Sequence, residues 1–259
     1  MKLEQLMEGV PFTLVQGSLD TEIADIIYDS RKAAPGLLFV CIVGTQRDSH
    51  AFAADCAAKG VSALVIQHDI DLSTMPGVTV VKVENSRYAM ALMSANLFGN
   101  PARQMTMIGV TGTSGKTTST YLIKSILEQK AGAKVGLIGT IQNMIGSEVL
   151  HTERTTPESF ELQKLFRRMS DAGCTHVVME VSSHALTLDR VYGVRFAVGI
   201  FTNLSQDHLD FHHTMEAYCD AKAILFDRCD VGVYNADDPW HQRLLAHAQG
   251  PRLFSYAIH

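Results

Sequence analysis

Short apolar runs alternate along this chain with longer stretches whose apolar positions recur every three to four residues. In the first hundred residues, 36–43, 63–66 and 78–83 read as buried strands. The alanine-rich segment 51–59 has a helical period and stops at Gly60, and a second helix is expected from about Ser86 to Leu97. Gly99-Asn-Pro101 breaks the pattern and is the expected boundary between a domain over 1–100 and another over 101–259. Beyond it, strands are expected at 105–110, 135–138, 176–181, 196–201, 231–234 and 253–256. Helices are expected at 116–129, 158–171, 215–228 and 238–248. Apolar strands separated by amphipathic helices imply a parallel sheet covered on both faces, whose ligands sit beyond the C-terminal strand ends. The expected fold class is therefore α/β: a small N-terminal α/β domain, then a mostly parallel sheet with helices on both faces.

Composition narrows the function classes. The chain is 46% hydrophobic and 19% charged, with a net charge of −5 and no run of like charges. This balance offers nothing to nucleic acid or to a membrane surface, so an anionic ligand must be held by local devices. The N-terminus lacks a basic start followed by an apolar stretch, and no apolar run approaches the roughly 18 residues needed to span a bilayer. The five scattered cysteines suit reduced thiols, and a cytoplasmic enzyme is expected.

The strongest local signal is Gly112-Thr-Ser-Gly-Lys-Thr-Thr118, which follows an expected strand and opens an expected helix. Glycines let the backbone aim its N–H groups inward, and the helix N-terminus adds positive potential for phosphate. Lys116 is placed to reach β/γ-phosphates, and the Thr117 hydroxyl to ligate Mg²⁺. The position five before Gly115 is Val110, where the general phosphate loop has glycine, so the match is to the narrower G-T-x-G-K-T form. A Gly/Thr-rich turn with a solvated lysine is the bland alternative.

Polar groups crowd the later strand ends. Glu180-Val-Ser-Ser-His184 ends an apolar strand, and reads either as a magnesium-binding carboxylate opposite Thr117 or as a capping cluster. Segment 201–213 carries Asp207, His208, Asp210 and His212. The two histidines four apart allow a zinc pair, whereas the aspartates favour a hard cation, and a solvated loop is the third reading. Lys222 falls on the apolar stripe of its helix with Met215, Tyr218, Leu225 and Phe226. It is either a snorkelling lysine or one whose amine loses its proton and reacts, for instance with CO₂ to give an anionic carbamate.

Taken in order, Asp29-Ser-Arg31, 39–44, Gly112–Thr118, Thr155-Thr-Pro157, Glu180–His184, Thr202-Asn-Leu204, Asp207–Asp210 and Lys222 resemble the Mur ligases, ATP-dependent amide-bond-forming enzymes of peptidoglycan synthesis. The resemblance implies a P-loop-type ATPase domain over 101–259 and a UDP-substrate-binding domain over 1–100. It implies addition of a diamino acid, meso-diaminopimelate or L-lysine, to UDP-MurNAc-L-Ala-D-Glu through an acyl phosphate, with ATP and Mg²⁺. Tyr28, Ser30, Thr45, Gln46 and Arg47 would hold the uridine nucleotide. Thr155, Thr156, Ser182 and Arg190 would contact the muramoyl-peptide. Gly112, Thr113, Ser114, Gly115, Lys116, Thr117, Thr118 and Asn203 would bind ATP. Thr117, Glu180, His208 and a carbamylated Lys222 would hold magnesium, with Lys116, Glu180, His208 and Lys222 as the catalytic set. The sequence departs from the family pattern at Arg154, at Leu188 and at Arg47-Asp-Ser-His50. The resemblance also implies that the central domain continues past His259. A regulatory nucleotide-binding module and a folylpolyglutamate synthetase-like ligase are the alternatives.

Overall fold

A computed structural model describes residues 1–44, 47–248 and 250–258, without the side chain of residue 247. The chain divides into two compact units, Met1–Gly99 and Asn100–His259.

The first unit contains α1 (Leu3–Leu6), β1 (Thr13–Gln16), β2 (Asp25–Ile27), β3 (Leu37–Val40), α2 (Ala53–Ala58), β4 (Ala63–Ile66), β5 (Thr79–Lys82) and α3 (Ser86–Leu97). Its sheet runs β1-β5-β4-β3-β2, parallel except where β1 pairs antiparallel with β5. The central strand β4 is buried along its whole length, as its continuous apolar run requires in a sheet covered on both sides. Phe39, Cys41, Leu64, Ile66 and Val80 pack with Ala53 and Cys56 to form the core. The helix expected over 51–59 begins as a 3₁₀ turn, Ser49–Phe52, because the Asp48 carboxylate accepts from the His50 N–H and tightens the entry. Asn85 caps α3 by accepting from the N–H groups of Arg87 and Tyr88. Strands β1 and β2 carry no apolar run long enough to announce them: one is a mostly exposed edge and the other three residues long.

The second unit contains β6 (Thr106–Thr111), α4 (Lys116–Ala131), β7 (Val135–Ile138), β8 (Asn143–Ile145), β9 (Glu148–Leu150), α5 (Ser159–Asp171), β10 (His176–Glu180), α6 (Ser183–Thr187), β11 (Phe196–Phe201), α7 (Leu209–His212), α8 (Met215–Asp227), β12 (Cys229–Asn235), α9 (His241–His247) and β13 (Arg252–Tyr256). Strand order is β13-β12-β11-β6-β10-β7-β8-β9. The run from β13 to β7 is parallel, and β8 and β9 extend the far edge as an antiparallel hairpin. From β6 the chain crosses to β7, returns to β10, then passes to the other side at β11, so the order reverses at β6 and opens a crevice beyond its C-terminal end.

Helices cover both faces. Ile123 and Leu127 of α4 pack on Ile108, Val135 and Val178. On the opposite face, Leu162, Phe166 and Met169 of α5 and Leu225 and Phe226 of α8 meet Met107, Val177, Met179 and Phe196. The helix expected from Asp238 begins instead at His241, because the Asp238 carboxylate accepts from the N–H groups of Leu204 and Trp240. Among the described residues, no helix is long and apolar enough to cross a membrane.

Candidate nucleotide site

The loop after β6 lies at the reversal point of the sheet. Gly112 has φ +146°, and a Cβ there would lie 1.9 Å from Thr202 Oγ1, so the close approach of the loop to β11 demands glycine. Gly115, at φ +84°, leads into the first turn of α4. The loop is tied to the end of β11 at several points. Thr113 N–H donates to the Asn203 carbonyl at 2.9 Å, and Ser114 N–H to Asn203 Oδ1 at 2.9 Å. Ser114 O accepts from Thr202 Oγ1 at 2.7 Å and from Asn203 Nδ2 at 3.1 Å. These bonds leave the loop little freedom to collapse. Thr118 sits exposed on the first turn of α4.

Two lysines converge on one carbonyl. Lys116 Nζ donates to Gly112 O at 2.8 Å and Thr113 O at 2.9 Å, and Lys222 Nζ donates to the same Gly112 O at 3.0 Å. Lys222 is only 1% exposed and lies 4.3 Å from the centre of the Tyr218 ring, so it does not snorkel. Burial, then repulsion from Lys116, pulls its amine from the ordinary 10.5 down to about 7. Burial also lowers Lys116, against the opposing pull of Glu180 and Asp207.

Glu180 faces the loop from the strand next to β6. Glu180, at the C-terminal end of β10 and 1% exposed, accepts from Thr117 Oγ1 at 2.9 Å through Oε1. The same oxygen accepts from Thr140 N–H at 2.9 Å, and Oε2 accepts from Thr140 Oγ1 at 3.0 Å. Ser182 of the same segment makes a capping contact, accepting from Ala185 N–H at the start of α6.

Thr155, Thr156, Ser182 and Arg190 gather beside Glu180. Thr156 Oγ1 donates to the Glu180 carbonyl and accepts from Ser182 N–H. Thr155 Oγ1 lies 3.0 Å from Thr140 Oγ1. Arg190 donates to Thr156 O and pairs with Glu158, which also takes Arg154.

His208 sits in the left-handed region, at φ 52°, just before α7. Non-glycine residues held there cluster at functional sites. Its ring meets His184 edge-on at 4.8 Å and Tyr218 at 6.1 Å, and Tyr218 Oη lies 3.3 Å from Thr113 Oγ1. Thus His208 reaches the loop through Tyr218. The zinc pair does not form: His212 is buried, its Nε2 lies 2.9 Å from Ser183 Oγ, and its ring stacks on Tyr218. Burial, with the charges of His184 and Lys222, lowers His212 to about 4.

The residues expected to hold uridine belong to the first unit. Tyr28 and Ser30 are half-buried at the C-terminal end of β2, and Ser30 O accepts from Lys59 Nζ. Arg47 is exposed, its carbonyl accepting from Gly44 N–H. Thr45 and Gln46 lie outside the described residues. Beside them Asp48 bridges His50 Nδ1 and His68 Nε2, the latter at 2.7 Å. Gln67 N–H donates to His50 Nε2, which keeps the His50 proton on Nδ1 facing Asp48. This makes the Asp48, His50, His68 group a hydrogen-bond relay and not a set of open metal ligands.

Thr140 and Tyr218 stand at the site with no role assigned from the motifs, and Thr202 with none beyond its place in Thr202-Asn-Leu204. Thr140 follows an expected strand end after Gly139, a position where ligands of parallel sheets are held, so that signal was available. For Tyr218, and for the contact of Thr202 with the loop, only the folded contacts reveal it.

Fold and site together define a parallel-sheet unit with a phosphate-type loop at its topological reversal. The Mur ligase middle domain model matches residues 110–259. The chain belongs to the Mur ligase family. It is 50% identical over 240 residues to the UDP-N-acetylmuramoyl-L-alanyl-D-glutamate–2,6-diaminopimelate ligase of Clostridium perfringens, covering 93% of this chain and 49% of that protein. The enzyme of the same name from Clostridium tetani is 46% identical over 259 residues, covering all of this chain and 53% of the relative. A solved structure of a ligase of that name superimposes with a TM-score of 0.85 at 25% identity, covering all of this chain and 52% of that one. The chain spans about half the length of the curated relatives it matches.

Proposed function

We propose that this chain carries the uridine-substrate and ATP-binding parts of a ligase that joins 2,6-diaminopimelate to UDP-MurNAc-L-Ala-D-Glu. One observation carries the reading: the Thr117 hydroxyl lies on the Glu180 carboxylate beside a loop carbonyl shared by Lys116 and Lys222. Backbone N–H groups of the loop and the N-terminus of α4 bind the triphosphate. Lys116 exchanges its loop carbonyls for γ-phosphate oxygens and offsets charge as the D-glutamate carboxylate attacks phosphorus and ADP departs. The amine of the diamino acid then displaces phosphate from the acyl phosphate, forming the amide.

The oxygen donors Thr117 and Glu180 fit a hard cation, and with His208 and a Lys222 carbamate they would hold magnesium, which offsets the repulsion among phosphates and carboxylate. The Lys222 amine, near 7, is available unprotonated to add CO₂ and release a proton. Thr155, Thr156, Ser182 and Arg190 orient the muramoyl-peptide. Tyr28, Ser30, Thr45, Gln46 and Arg47 hold the uridine nucleotide.

The test is Lys116→Ala, with binding of ATP–Mg²⁺ and of UDP-MurNAc-dipeptide measured by calorimetry. ATP binding is expected to fall below detection while the UDP ligand binds as before. ATP affinity equal to that of the unaltered chain refutes the assignment.

A further inference from the structure

Glu180 is the carboxylate on which the proposed magnesium site depends, and three of the donors that hold its side chain come from two residues. One is Thr117, itself expected to turn toward the cation. The other is Thr140, which supplies its N–H to Oε1 and its hydroxyl to Oε2, at 2.9 and 3.0 Å. A carboxylate only accepts, so the Thr140 hydroxyl spends its single hydrogen there. The 3.0 Å contact between Thr140 Oγ1 and Thr155 Oγ1 must then be donated by Thr155. The relay runs one way: Thr155 to Thr140 to Glu180. The pocket around the carboxylate is close as well, since a Cβ on Gly139 would lie 2.4 Å from Oε1.

Resting on the nucleotide reading above, we infer that Thr140 is a positioning residue: it holds Glu180 in the orientation that meets the cation beside Thr117 and links that carboxylate to Thr155. When Thr117 Oγ1 turns to a cation, the Thr140 hydroxyl is, among the described residues, the side-chain donor that remains on Glu180. The Thr155 hydroxyl, its hydrogen committed to Thr140, presents only lone pairs to a bound substrate and selects an N–H or O–H group there.

The experiment measures ATP binding by this chain with Mg²⁺ and with EDTA, for the unaltered protein, Thr140→Val and Thr140→Ser. The ratio of the two affinities isolates the metal-dependent part. A hydrogen bond to a charged group is worth about a tenfold change in affinity. Thr140→Val is expected to cut the magnesium-dependent ratio about tenfold with ATP affinity in EDTA unchanged. Thr140→Ser, which keeps the hydroxyl, is expected to restore it. A purely structural role would lower both affinities together and would not distinguish Ser from Val. Thermal melts confirm that the variants fold, and Thr140→Ala replaces the valine if it does not. An unchanged ratio in the valine or alanine variant overturns the role of Thr140 and leaves the nucleotide reading intact. Failure of the unaltered chain to bind ATP in both conditions overturns both.

Discussion

Lys222→Met removes a buried amine and keeps an apolar stem of similar length. In the folded chain the amine sits near 7, against an ordinary lysine value of 10.5. Below about pH 7 the unaltered protein must fold with its lysine either deprotonated or charged in a buried site. At about 1.4 kcal/mol per pH unit, this disfavours folding by about 5 kcal/mol. Between 7 and 10.5 the unfolded chain binds more protons than the folded one, so stability rises with pH and the penalty disappears at the top of that window. Methionine also loses the hydrogen bond to Gly112 O, worth about 1 kcal/mol. The variant is therefore expected to be about 4 kcal/mol more stable than the parent at pH 6 and slightly less stable near pH 10.5. Urea denaturation of both proteins at pH 6, 8 and 10, in CO₂-free buffer so that no carbamate forms, reads the difference directly. Parallel stability curves across this range would show that Lys222 titrates normally and would remove the basis for its reactivity.

Gly112→Ala forces a Cβ into Thr202 Oγ1 at a backbone angle that side chains rarely adopt, and is expected to cost about 2 kcal/mol or more. Calorimetry should show ATP binding lost before the fold melts, and wild-type affinity would contradict the loop geometry. His68 is raised above 6.5 by its hydrogen bond to Asp48, so that contact stabilises the fold below 6.5 and fades as pH rises through the higher folded value. An NMR titration should place His68 above 6.5 and lower it in Asp48→Asn, with the remaining upward pull coming from Asp69; no change between the two would show that the contact is absent in solution.

Local chemistry made much of the molecule legible in advance. Apolar runs located β4, β7 and β11 to the residue, and helical periodicity located α3. The glycine and lysine spacing marked the loop, because a phosphate-type loop is a property of seven adjacent residues. Hairpin β8–β9 stayed hidden, since its strands are three residues each and carry too little alternation to read. The start of α9 shifted because Asp238 is drawn to Leu204, a partner 34 residues away.

What the chain determines by itself is thus the set of elements and the one motif whose parts are neighbours along the backbone. The meeting of Lys222 with Gly112 across 110 residues belongs to tertiary structure, as do the placing of Thr117 on Glu180, the Thr140 relay and the route from His208 through Tyr218. Helical position left Lys222 open between a surface lysine and a buried one. Only the packing of α8 against the sheet, which carries the amine out of water and beside a second ammonium, decides between them, because burial and long-range charge have no signature in local sequence.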